Sequence, residues 1–143
     1  MNNSVNLTDL IQNGGVYYGI KGKNFETVYD NISKIVSLPA ELTAETFCTE
    51  LCAREELMST AVGKGISIPH PRLPLLKNDE AQRIFVCFLE KTLDVPSPDA
   101  RPVFALFIVL SSNKQTHLSV LSSLAFLFQK DSFIKLLNTK PQK

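Results

Sequence analysis

An α/β sandwich, with a mixed central sheet flanked by helices on both faces, is the fold class that three features of the sequence predict. Two continuous apolar runs, Arg83–Leu89 and Val103–Leu110, have strand length and the unbroken hydrophobicity of strands buried on both sides. Amphipathic helical patterns stand both before and after these runs, so helices can cover both faces of the sheet. The connection between the runs, Asp94–Pro102, holds Pro96, Pro98 and Pro102 and has no helical pattern. A connection without a helix permits a hairpin, which makes the sheet mixed.

Taken in order, Asn6–Gln12 reads as a short helix, with Leu7, Leu10 and Ile11 on one face and Gly14-Gly15 as its break. Val16-Tyr-Tyr-Gly-Ile20 has strand-forming residues. Asn24 is a good N-cap for a helix whose apolar face is Phe25, Val28, Tyr29, Ile32, Ile35 and Val36, ended by Pro39. A second helix is expected over Thr43–Leu57, facing inward with Phe47, Cys48, Leu51 and Cys52. Ile66 and Ile68 alternate with Gly65 and Ser67 as a strand would. After the two apolar strands, His117–Phe128 reads as a broadly apolar helix, and Asp131 can cap a last one through Leu137. The order is helix, strand, helix, helix, strand, strand, strand, helix, helix.

One domain is expected over residues 1–143, with Asn138–Lys143 as a frayed tail. Hydrophobic types make up 44% of the chain and charged types 20%, a composition that disfavours disorder. Lys+Arg 15 against Asp+Glu 14 gives a formal charge of +1, too balanced for charge-driven binding to nucleic acid or an anionic membrane. The three cysteines, Cys48, Cys52 and Cys87, lie in helix-like and strand-like segments and read as reduced, buried thiols. The N-terminus lacks the basic and apolar regions of a signal peptide. Val103–Leu110, the longest apolar stretch, is far short of the ~20 residues a membrane span needs. These features point to a cytoplasmic protein without membrane insertion.

The segment Ser59–Arg72 is the one that local structure alone does not explain. His70 lies between Pro69 and Pro71, so both Ile68 and His70 precede a proline and are held near extended geometry. A stiff backbone suits an imidazole that must be presented for reaction, although an ordinary strand-exit turn with an exposed histidine fits the same residues. His117, the one other histidine, follows the polar stretch Ser111–Thr116 at the expected helix start, where free amides attract anions. Arg54, near the end of the second helix, is a permanent cation suited to a phosphoryl oxygen or carboxylate. Taken singly, His117 reads rather as a helix-start residue without a task, and Arg54 as an ordinary solvated helix-end residue.

Together these positions form a pattern. The run Arg54-Glu-Glu-Leu-Met-Ser-Thr-Ala-Val-Gly-Lys-Gly-Ile-Ser-Ile-Pro-His70 closely resembles the active-site segment of phosphotransferase-system enzyme IIA domains of the fructose, mannitol and nitrogen-regulatory class. That segment reads Arg-Glu, then Ser-Thr-Gly-Ile-Gly, then Gly-Ile-Ala-Ile-Pro-His. His117-Leu-Ser-Val-Leu-Ser-Ser-Leu-Ala resembles the second histidine motif of the class, and Asp99–Val103 its Asp-x-x-Pro-Val lead-in. The resemblance implies a mixed sheet between helices. It implies that His70 accepts a phosphoryl group from the phosphohistidine of HPr or its nitrogen-branch relative, with His117 beside it as partner and Arg54 near the ring. It also matches Ser59 and Thr60 to the polar pair before the glycine turn, as phosphoryl-binding residues.

Neither metal nor nucleotide cofactor is expected, and no Gly-x-x-x-x-Gly-Lys-Ser/Thr loop occurs. Three features depart from the class pattern. Ala61 stands where Gly is usual, so the turn must avoid positive φ or accept strain. Pro71 follows the histidine where Gly, Ala or Thr is frequent. This proline, with Gly14-Gly-Val-Tyr-Tyr18, is nearer the stand-alone nitrogen-regulatory branch. Third, the sequence carries no permease or HPr-like module, so a sugar route would need separate membrane partners. Downstream partners are then regulated target proteins; the alternatives are a sugar-uptake IIA handing the group to a IIB domain, or a non-phosphorylated interaction module of the same fold. A metal site from Cys48, Cys52, His70 and His117 is a further alternative, disfavoured by the apolar helix face and the missing Cys-x-x-Cys spacing.

Overall fold

The computed structural model describes residues 6–138. Seven elements lead to the first long strand, β4 (Arg83–Leu93): α1 (Leu7–Gly14), β1 (Val16–Ile20), α2 (Phe25–Ile35), α3 (Ala44–Leu57), β2 (Ala61–Gly63), β3 (Ile66–Ser67) and a 3-10 turn (Asp79–Ala81). β5 (Val103–Leu110), α4 (Lys114–Leu127) and α5 (Asp131–Asn138) complete the chain. The five strands form one sheet in the order β1-β4-β5-β3-β2. β4 pairs antiparallel with β5 and β2 with β3, while β1 runs parallel to β4 and β3 parallel to β5. The expected mixed sheet is present.

Alternation along the two central strands explains their continuous hydrophobicity. Phe85, Cys87 and Leu89 of β4, with Leu106, Ile108 and Leu110 of β5, pack on one face against Tyr29 and Ile32 of α2 and Phe47 and Leu51 of α3. Ile84, Val86, Phe88, Ala105, Phe107 and Val109 pack on the other against Val120, Leu124 and Phe128 and the apolar side of α1. Each fully buried Val, Leu, Ile or Phe among them contributes about 1.5–3 kcal/mol of transfer free energy. Helices thus lie on both faces, as predicted.

Several boundaries differ from the sequence reading. α1 runs past Gln12 to Gly14 because Gly14 lies against β4, where a Cβ would collide with the Ile84 carbonyl. α2 ends at Ile35, ahead of Pro39, and Ile35 itself is 54% exposed rather than inward-facing. α4 begins three residues before His117, because Asn113 caps it by accepting from the Thr116 amide at 2.7 Å. β4 continues beyond Leu89 to Leu93, whose partner is Val103. Asn138, expected in a frayed tail, is the last residue of α5 and donates to the Ile134 carbonyl at 2.9 Å; residues 139–143 of that tail lie outside the described residues.

The strand expected at Ile66–Ile68 is shorter and has a partner that the sequence did not announce. β2 and β3 form a tight hairpin whose two turn residues, Lys64 (φ 59°) and Gly65 (φ 80°), are both left-handed, as a type I′ turn requires. Ala61 lies in the strand before this turn and has no positive φ, so its replacement of the usual glycine carries no strain. Asp99 Oδ2 accepts from the Lys64 amide at 2.7 Å, and Lys64 Nζ reaches the Phe128 carbonyl at 3.2 Å.

Gly14→Ala is expected to lower stability by about 1–3 kcal/mol, because a new methyl would overpack α1 against the β4 backbone. A reduced urea midpoint at unchanged slope, with the far-UV spectrum preserved, is the measurement that checks it.

Candidate functional site

The pairing of β3 with β5 decides where the two histidines meet. The two strands run parallel, with Ile66 beside Ala105 and Ser67 beside Leu106, so the chain leaves both at the same end of the sheet. In open α/β sheets, that carboxyl end is where ligand crevices form. From β3 the chain continues through Ile68 and Pro69 to His70. The Ile68 amide donates to the Thr60 carbonyl and the Pro69 carbonyl accepts from the Val109 amide, each at 3.0 Å. From β5 it passes through Ser111 into α4, whose first full turn carries His117.

The two imidazole rings stand with centroids 5.0 Å apart and planes inclined by 58°. They line a cleft of about 380 Å³ together with Arg54, Leu57, Met58 and Arg72. Three of the five residues singled out by sequence, His70, His117 and Arg54, therefore share one cleft. Ser59 and Thr60 are not among its lining residues. Ser59 Oγ accepts from the Ala61 amide at 3.2 Å, and buried Thr60 donates its hydroxyl to Glu55 Oε1 at 2.8 Å. In this structure the pair serves the turn and not the cleft.

Arg72 was missed by the sequence reading. The available signal was spacing: residues two apart in an extended chain point to one side, and Pro71 keeps His70 extended. Among the described residues the side chain of Arg72 makes no hydrogen bond or ion pair, whereas Arg54 Nη1 donates to the Met58 carbonyl at 2.6 Å. The cleft thus holds one tethered and one untethered guanidinium.

The state of His70 follows from its partner. Nδ1 lies 2.7 Å from the Ile68 carbonyl. A carbonyl can only accept, so Nδ1 carries the ring proton and Nε2 keeps its lone pair. Burial holds the His70 pKa below its usual value; the Ile68 carbonyl and the Glu55 charge pull it back up, and Arg54 pushes it down. Burial pushes His117 down to about 4, with His70 adding to the effect. Both rings are neutral near pH 7, and the fixed positive charge of the cleft comes from the two arginines. The His117 Nδ1 is 3.3 Å from Ser111 Oγ.

No three His, Cys, Asp or Glu side chains among the described residues are grouped to share a metal ion. Cys48 and Cys52 pack instead against the core between α2, α3 and the sheet. No helix among the described residues is long and apolar enough to cross a membrane.

Residues 9–143 match the family described as phosphoenolpyruvate-dependent sugar phosphotransferase system, EIIA 2. The chain belongs to this family. A nitrogen regulatory protein of Pseudomonas aeruginosa is 30% identical over 141 residues, spanning 96% of this chain and 89% of the relative. The fructose-specific EIIABC component of Bacillus subtilis is 25% identical over 92% of this chain, which corresponds to 21% of that longer protein. Among solved structures, nitrogen regulatory protein IIA-Ntr from Neisseria meningitidis has a TM-score of 0.63 at 25% identity, covering 82% of this chain and 80% of that one. IIA mannitol from Escherichia coli, at 18% identity and a TM-score of 0.61 over 85% of each chain, shares the fold. This EIIA 2 domain is therefore similar both to nitrogen-regulatory and to sugar-specific members, with the higher identity on the nitrogen-regulatory side.

The depressed His117 pKa fixes the sign of a pH effect. Between its ordinary value of 6.5 and about 4, the unfolded chain protonates His117 while the folded one does not. The unfolded state then binds more protons, so this contribution is complete above pH 6.5 and declines as the pH falls toward 4. His117→Gln is expected to flatten that part of the stability profile, and urea midpoints taken from pH 7 down to pH 4 measure it.

Proposed function

We propose that this domain is a phosphohistidine carrier in which His70 Nε2 accepts a phosphoryl group from the phosphohistidine of an HPr-type carrier protein. The observation that carries the reading is the 2.7 Å bond from His70 Nδ1–H to the Ile68 carbonyl, made in a cleft shared with His117 and two arginines. It leaves one ring nitrogen with a free lone pair in a neutral imidazole, which is the nucleophile that the reaction needs.

In the transfer, the Nε2 lone pair forms a bond to phosphorus while the donor's phosphorus–nitrogen bond breaks and its electron pair returns to the donor ring. A donor ring protonated on its other nitrogen leaves as neutral imidazole, and His70 takes over the positive charge while keeping its Nδ1 proton. One phosphorus–nitrogen bond replaces another, so the step is close to isoenergetic and reversible. Charge spreads onto the equatorial phosphoryl oxygens at the transition state, where positioned donors and cations stabilise it. In the tautomer in which Ser111 Oγ–H donates to Nδ1, His117 carries its proton on Nε2 and can donate it to a phosphoryl oxygen. Arg72 and Arg54 supply the cations.

The rim favours a protein as the donor. Leu57 and Met58 line the cleft while 64% and 70% exposed, an apolar surface that a macromolecular partner can cover. The 30% identity to a nitrogen regulatory protein supports a regulatory destination for the phosphoryl group. Sugar uptake through a IIB domain is the second reading, favoured by the match to the fructose-specific component.

Incubation with phosphoenolpyruvate, enzyme I and HPr is expected to add one acid-labile phosphoryl group by intact mass, and His70→Ala to abolish it with the fold intact. His117→Ala is expected to slow transfer by about a hundredfold, the usual loss for one transition-state donor, with a smaller effect on partner affinity. Undiminished labelling of His70→Ala would refute the assignment, and an unchanged mass of the native protein would leave an interaction module. Efficient transfer onward to a fructose- or mannitol-type IIB domain would favour the sugar route.

A further inference from the structure

Glu55 is next to Arg54 yet takes no part in lining the cleft. Its half-buried carboxylate instead collects three donors. Tyr29 Oη–H and Thr60 Oγ1–H both donate to Oε1 at 2.8 Å, and the Thr60 amide donates to Oε2 at 2.7 Å. Tyr29 is fully buried on α2, and burial together with the Glu55 charge raises its phenol well above the ordinary value, so it remains a donor.

The hydrogen bonds do not stop at Thr60. Its carbonyl accepts from the Ile68 amide at 3.0 Å, and the Ile68 carbonyl accepts from His70 Nδ1–H at 2.7 Å. A series of hydrogen bonds, linked through the backbones of Thr60 and Ile68, therefore runs from the hydroxyl of a core tyrosine through a carboxylate to the ring of His70. Pro69 and Pro71 have no amide hydrogen to offer, so beside the bond from the Val109 amide to the Pro69 carbonyl these bonds are what place the backbone around the histidine. A carboxylate that meets three donors is also a more exacting anchor than a neutral acceptor, because charge-assisted bonds are shorter and stronger.

We propose that Glu55, anchored by Tyr29, is a positioning residue for His70: through Thr60 and Ile68 it places the carbonyl that keeps the ring proton on Nδ1 and Nε2 free. The inference deepens the phosphoryl-transfer reading and rests on it for the kinetic part alone. The tautomer can be read without any phosphoryl donor, so the two can fail separately.

The test uses the full chain labelled with 15N-histidine, observed above neutral pH where both rings are neutral. In the native protein His70 is expected to show a pyridine-like Nε2 and a pyrrole-like Nδ1 resonance. Glu55→Ala is expected to shift His70 toward a mixture of tautomers and to lower the phosphorylation rate constant by about tenfold or more, with little change in HPr affinity. In Glu55→Gln the side-chain carbonyl can take the Thr60 amide while the NH2 donates to the Tyr29 and Thr60 hydroxyl oxygens, so this variant is expected to restore the native tautomer and most of the rate.

Tyr29→Phe removes only a hydroxyl and keeps the ring packed. It is expected to give a smaller shift of the same kind, and it decides the matter should Glu55→Ala not fold. A native tautomer ratio in folded Glu55→Ala, or in Tyr29→Phe when the alanine variant is unfolded, would overturn the proposal. It would do so whatever the fate of the phosphorylation assay.

Discussion

The two-residue parallel ladder between β3 and β5 is the constraint on which the rest of this structure depends. Ile66 beside Ala105 and Ser67 beside Leu106 bring a short strand alongside a long one in matching direction. Two segments far apart in sequence then emerge at one end of the sheet, one carrying His70 and the other leading to His117. A slip of one residue would turn each side chain of β3 to the opposite face. Ile66 and Ile68 guard against that slip by being buried on the α4 side.

Electrostatics and position work together at that end. Neither histidine carries charge at neutral pH, since burial depresses both. The positive potential comes from guanidinium groups that cannot lose it. The free lone pair and the positive charge are thereby assigned to different side chains. The site stays electropositive whether or not a ring is protonated, and only the availability of the Nε2 lone pair follows pH.

Much of this was legible in the sequence where one physical signal dominated. The strands β4 and β5 are unbroken apolar runs because both faces are covered, and β5 was located to the residue. α2 announced itself through its cap at Asn24, which accepts from the Thr27 amide, and α3 through the inward-facing set Phe47, Cys48, Leu51 and Cys52. β2 was illegible because three residues, one of them the exposed Val62, carry no pattern. The start of α4 was placed too late because Lys114, Gln115 and Thr116 give no apolar periodicity; the cap at Asn113 was the better guide. In the site, spacing and family resemblance pointed to His70, His117 and Arg54, which do converge. They could not reveal that Thr60 is committed to Glu55, because that bond depends on how the chain turns between the end of α3 and β2.

The margins of the sheet have a consequence for how this molecule meets others. At one margin β2 is only three residues long; at the other, β1 loses register between Tyr17 and Ile20, around a left-handed Gly19. Neither margin offers an incoming polypeptide a flat row of free amides and carbonyls to zip onto. Assembly by strand addition is thereby disfavoured, which guards a hydrophobic interior against fibre-like stacking.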